Sequence, residues 1–122
     1  MKIIQSAHAP AAIGPYSQAI GINGFIFLSG QLGLEPASMV LAPSVDAQTH
    51  QIFKNIQAIL AADNKTLKNI VKTTIFLTNM DDFNTVNIIY GDYFADHRPA
   101  RSCVAVSRLP KNALIEIECI AW

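Results

Sequence analysis

The spacing of apolar residues changes character several times along the chain and predicts a mixed α/β order. Residues 16–22 and 25–29 are short apolar runs of strand type. Asn23-Gly24 between them predicts a type I′ hairpin, because both central positions need φ > 0. Residues 30–39 read as a loop broken by Gly33 and Pro36. Over residues 44–63 the period becomes helical, with Ile52, Phe53, Ile56, Ile59 and Leu60 on one stripe. Ser44 is the expected N-cap, and Asp46 in the first turn suits the helix dipole. Ile70–Leu77 is β-branched and mostly apolar, as expected of a central strand. Asp81 or Asp82 is expected to cap a second helix, with Phe83, Val86, Tyr90, Tyr93 and Phe94 on one face and Pro99 as its end. Two final strands, near 100–106 and 114–122, flank a turn at Leu109-Pro110-Lys111-Asn112.

This order, ββ(β)αβαββ, predicts a single domain over residues 1–122. Its expected architecture is a two-layer α/β sandwich, a mixed β-sheet with two helices on one face. The strands are apolar on both faces, so the second face needs a cover. A dimer would supply it, and so would three sheets around a common axis. Composition points the same way. Hydrophobic residues make up 51% of the chain and charged residues 15%, where an ordinary domain carries roughly 25% charged residues. The surplus predicts a homo-oligomer.

Nine basic and nine acidic residues balance, which makes nucleic acid an improbable partner. No apolar stretch reaches the length of a membrane span, and the first residues lack a signal-peptide core. Cys103 and Cys119 both lie in strand-like runs, which favours reduced thiols and a cytoplasmic location.

Charges seldom sit in apolar strands unless they are paired or used. The segment Arg98-Pro-Ala-Arg-Ser-Cys-Val and the segment Ile115-Glu-Ile-Glu118 therefore hold the candidate chemistry. Arg101 offers a planar fork of donors for a carboxylate, and Glu116 offers a base. Strand alternation puts Glu116 and Glu118 on one face. On composition alone, a structural pairing of Arg101 with Glu116 or Glu118 is the commoner use of such residues. Cys103 reads as a nucleophile only if a base or cation activates it, and otherwise as a small buried hydrophobe. Tyr16 fits core or an interface hydroxyl, Gly30 a close approach of backbone at a strand end or a simple bulge or turn. Ser29 fits a strand terminus and Asn87 a bond to loop backbone. His8, His50 and His97 share no ligand spacing, so neither a metal nor another cofactor is expected.

The motifs Ala9-Pro-Ala-Ala-Ile-Gly-Pro-Tyr-Ser-Gln18, Leu28-Ser-Gly-Gln31, Ile70-Val-Lys-Thr-Thr74, Asp81-Asp-Phe-Asn-Thr-Val-Asn87, Pro99-Ala-Arg-Ser-Cys-Val104 and Ile115-Glu-Ile-Glu118 resemble those of the RidA family, also called YjgF. The resemblance runs through essentially the whole chain. It implies a chorismate-mutase-like fold assembled as a homotrimer, with sites in clefts between subunits. It also implies deamination of enamines and imines made by pyridoxal-phosphate enzymes, with 2-iminobutanoate and 2-iminopropanoate as substrates and a 2-oxo acid and ammonia as products. Arg101 resembles the family's carboxylate-binding arginine and Glu116 the residue that positions the attacking water. Cys103 resembles the position whose backbone N–H meets the ligand. Tyr16, Ser29, Gly30 and Asn87 resemble the rest of the pocket. The chain departs from the pattern in one place: the segment before Pro99 is short and ends in Arg98. The competing expectations are a non-catalytic 2-oxo-acid-binding regulator and, further off, an endoribonuclease or translation inhibitor.

Overall fold

The computed structural model describes residues 1–122. Eight main elements follow in order: β1 (Lys2–Ile4), β2 (Ala19–Ile22), β3 (Phe25–Leu32), α1 (Val45–Ala61), β4 (Ile70–Leu77), α2 (Phe83–Phe94), β5 (Ala100–Ala105) and β6 (Ile115–Ala121). They build a mixed α/β fold. The six strands form one sheet in the order β1-β2-β3-β6-β4-β5. Only β4 and β5 run parallel, joined through α2 as a crossover. The third strand ahead of α1 is β1 at the amino terminus, three residues long and without a sequence signal of its own.

The hairpin turn is as expected. Asn23 and Gly24 both take positive φ, 50° and 84°. Ser44 caps α1, its hydroxyl accepting from the Ala47 N–H at 3.3 Å. Ile52, Phe53, Ile56, Ile59 and Leu60 are all buried against the sheet. At roughly 1.5–3 kcal/mol for each such side chain removed from water, this stripe holds α1 in place far more than helix propensity does.

Four expectations need correction. The strand at 16–22 starts only at Ala19, because Gly14 and Pro15 keep Tyr16 in irregular backbone. The strand at 25–29 continues to Leu32. The pairing of β3 with β6 shifts register between Leu28 and Gln31, so a bulge at Ser29-Gly30 absorbs one residue and the strand carries on. The entry to α2 is capped by Asn79, not by Asp81 or Asp82. The Asn79 side chain accepts from the Asp81 N–H in a single 3₁₀ turn, and Asp82 makes no capping bond. Finally, α2 stops at Phe94, well before Pro99. Ala95 leaves the helix at φ 53°, and the His97 ring bonds to the Ile70 carbonyl at 2.6 Å.

One sheet face carries the helices and the core of Ile26, Leu28, Ile75, Leu77, Ile115 and Ile117. The other face is open. It presents Ile3, Phe27 and Val104, each at least 44% exposed, with the half-buried Phe76 and Ile120 between them.

Candidate functional site

Register decides where the predicted site residues go. Arg101 on β5 stands opposite Thr73 on β4, and Thr73 stands opposite Cys119 on β6. Thr73 is buried under α2, its hydroxyl 2.8 Å from that of Tyr90. Arg101 and Cys103 therefore face the helices. Glu116 is opposite Phe76, three residues on from Thr73, and so lies on the open face. The sheet separates Arg101 from Glu116. The only ion pair in the molecule joins Lys2 to Asp63, so the structural pairing of Arg101 with Glu116 or Glu118 does not form.

The first cluster is built around Arg101. Its Nη1 donates to the Asn87 carbonyl oxygen, Oδ1, at 2.7 Å. The guanidinium lies 4.8 Å from the Tyr90 ring centroid and 5.4 Å from that of Phe83. Asn87 thus bonds the arginine and not a loop backbone. Cys103 follows on the same face and lines a shallow cleft with Arg101, Phe83 and Asn84. Burial pushes the Cys103 thiol above its ordinary value, with Arg101 pulling weakly the other way. This argues against a resting thiolate nucleophile. Cys119 is core, pushed by burial up to about 12. Because β5 is the sheet edge, part of its backbone lacks a ladder partner.

The second cluster is built around Glu116. It lines a cavity of about 520 Å³ with Tyr16, Ser29, Gly30, Leu32 and Lys111. Burial is the main reason its carboxyl titrates above the usual carboxylate range, and the nearby Glu118 charge adds to it. Gly30 is there for space. A Cβ at that position would sit 1.9 Å from the Glu116 carboxylate oxygen, Oε1. Ser29 is mid-strand, not a terminus, and its hydroxyl donates to the Ser17 carbonyl at 2.6 Å. That bond ties the Tyr16 segment to the bulge.

Several supporting residues had no signal that singled them out. Gln18 is buried and its side-chain amide donates to the Pro10 carbonyl at 2.8 Å and accepts from the Ser6 N–H at 2.7 Å. These bonds lay the 6–16 strap along the cavity. Tyr90 and Phe83 read as core from their helical spacing, yet they carry Arg101. The spacing of Asn87 and Tyr90, i and i+3, already placed them side by side. No three His, Cys, Asp or Glu side chains lie close enough together to hold a metal ion.

Comparison with known proteins agrees with this fold. The family model described as Endoribonuclease L-PSP matches residues 6–122. A RutC family protein of Synechocystis is 51% identical over 99% of this chain and 95% of its own length. The 2-iminobutanoate/2-iminopropanoate deaminase of Salmonella typhimurium is 45% identical over 98% of this chain and 96% of its own. The crystal structure of E. coli TdcF with bound serine superposes with a TM-score of 0.95. It is 40% identical, covering 99% of this chain and 98% of that one. Relatives of similar identity carry different names. By its sequence signature, its six-stranded sheet with two helices and its match over nearly the full length, the chain belongs to the RidA (YjgF) family.

Proposed function

We propose that this protein hydrolyses 2-iminobutanoate and 2-iminopropanoate to 2-oxo acids and ammonia, at sites shared between neighbouring copies of a homotrimer. The observation that carries the reading is the division of the site. Each chain has an arginine half on its helix face and a glutamate half on its open face, and neither is complete alone. A neighbour that covers the open sheet face brings the two halves together, and buries apolar side chains such as Phe27 and Val104 as it does so.

In this reading the substrate carboxylate docks on Arg101. Asn87 and the rings of Tyr90 and Phe83 fix the plane of the fork. The backbone N–H of Cys103 and the backbone at Gly30 complete the cradle, with Ser29 holding the Tyr16 segment at its wall. The protonated imine carbon is a strong electrophile without further activation. Glu116, with its raised carboxyl, takes a proton from water as the oxygen bonds to that carbon. The carbinolamine then breaks its C–N bond, and Glu116 returns the proton as ammonia leaves. No helix is long and apolar enough to cross a membrane, and the two free thiols suit a reducing cytoplasm.

The test couples the protein to threonine dehydratase with semicarbazide as a competing trap for the imine. Faster release of 2-oxobutanoate, lost on Arg101→Ala, is the expected result. No acceleration by the unmutated protein overturns the reading, and retained ligand binding in that case identifies a binding module instead.

A further inference from the structure

Arg101 is not the only guanidinium on its side of the molecule. A second cleft, of about 510 Å³, is lined by Asn87, Tyr90, His97, Arg98, Pro99 and Arg101 among others. It contains two arginines and an imidazole, and no carboxylate lines it. Neither arginine has an acidic partner anywhere in the chain, since the only ion pair is Lys2 with Asp63. The chain is neutral overall, so this local excess of positive charge is a feature of the site and not of composition.

The free donors of both forks are available. Arg98 spends Nη1 on the carbonyl oxygens of Ala95 and His97. Its remaining N–H groups, on Nε and Nη2, make no bond within the chain, and the side chain is exposed. Arg101 likewise spends only one N–H, on Asn87. Three residues apart, the two Cα atoms lie within about 11 Å of each other. Two long side chains can therefore address the two ends of one small molecule.

We propose that this cleft gives the protein a preference for 2-imino and 2-oxo acids that carry a second carboxylate. Arg101 takes the carboxylate next to the reacting carbon, and Arg98 takes the one at the end of the side chain. The chemistry rests on the deaminase reading: water adds to the imine carbon, the C–N bond breaks, and ammonia and a 2-oxo dicarboxylate leave. The binding preference does not depend on turnover. Enzymatic two-electron oxidation of an acidic amino acid, or loss of water from its 3-hydroxy derivative, would supply such an imine.

Two measurements test it on the full-length protein. Calorimetry compares 2-oxoglutarate with 2-oxobutanoate. The expected result is roughly tenfold tighter binding of the dicarboxylate, the size of one charge-assisted hydrogen-bonded contact. That ratio falls to about one in Arg98→Ala and is largely kept in Arg98→Lys. Equal affinity for the two ligands, or a ratio unchanged by Arg98→Ala, overturns the proposal. The second measurement supplies 2-iminosuccinate from aspartate with an aspartate oxidase and follows oxaloacetate. Acceleration that depends on Arg98 supports the proposal. A dicarboxylate preference without acceleration of any imine keeps the binding site and sinks the deaminase reading, and faster turnover of 2-iminobutanoate than of 2-iminosuccinate overturns the substrate assignment.

Discussion

The Glu116 carboxylate occupies the space in which a side chain at Gly30 would begin. An ideal Cβ there lies 1.9 Å from Oε1 and 2.8 Å from the carboxyl carbon. The glycine sits in the β3 bulge, where one extra residue shifts the register against β6. Bulge and glutamate are thus packed directly against each other, so a side chain at position 30 must displace the carboxylate.

Gly30→Ala must push the carboxylate away or distort the bulge. Overpacking of this kind costs about 1–3 kcal/mol of stability, and displacing a reacting group by about 1 Å costs about 10²-fold in rate. We expect a folded protein with a modestly lowered melting temperature and at least that loss of deaminase turnover. Wild-type turnover in Gly30→Ala would show that the Glu116 position is not needed.

The raised Glu116 carboxyl gives a pH signature. Burial is the larger cause and the Glu118 charge the smaller. The acidic limb of kcat/KM should therefore lie above the ordinary glutamate range, and Glu118→Gln should move it down without abolishing the displacement. Stability follows the same sign. A group with a raised folded pKa binds more protons in the folded state, so Glu116 lowers stability as pH climbs from the ordinary glutamate value through the raised one. Melting curves across that window should show the fall, and Glu116→Gln should remove it.

Arg101 should matter to ligand binding far more than to the fold. It is exposed on the edge strand, and its contacts are one side-chain bond and two ring faces. Arg101→Lys keeps the charge but loses the planar fork. We expect kcat/KM to drop by about 10²-fold while stability changes by less than about 1 kcal/mol. Asn87→Ala should give a milder loss, since it frees the fork without removing it. A large fall in melting temperature in either variant would assign these residues a structural role.

Much of this arrangement was legible in the sequence, for identifiable reasons. The stripe from Ile52 to Leu60 and the Asn23-Gly24 turn are local signals, and both elements form as read. Strand alternation correctly placed Glu116 with Glu118. It could not place Glu116 relative to Arg101. Parity is a property within one strand, whereas β5 and β6 are related only through their separate registers with β4. Short β1 carries too few residues for a periodic signal. Gly30 reads in the sequence as a close approach or a bulge, and it is both, but what it approaches is not legible there, because the carboxylate comes from a strand more than eighty residues later.

That separation of faces supplies the most discriminating experiment. Arg101→Ala and Glu116→Gln should each be inactive alone. If every site takes its arginine from one chain and its glutamate from a neighbour, unfolding the two variants together and refolding them as a mixture should restore activity. In an equal mixture with random assembly, about a quarter of the sites receive both an intact arginine and an intact glutamate, so the recovery should approach about a quarter of wild type. If the two groups instead served one site within a single chain, no mixture of the variants would recover any turnover. Recovery therefore measures directly whether the open face of one copy meets the Arg101 edge of the next, which neither single variant can reveal.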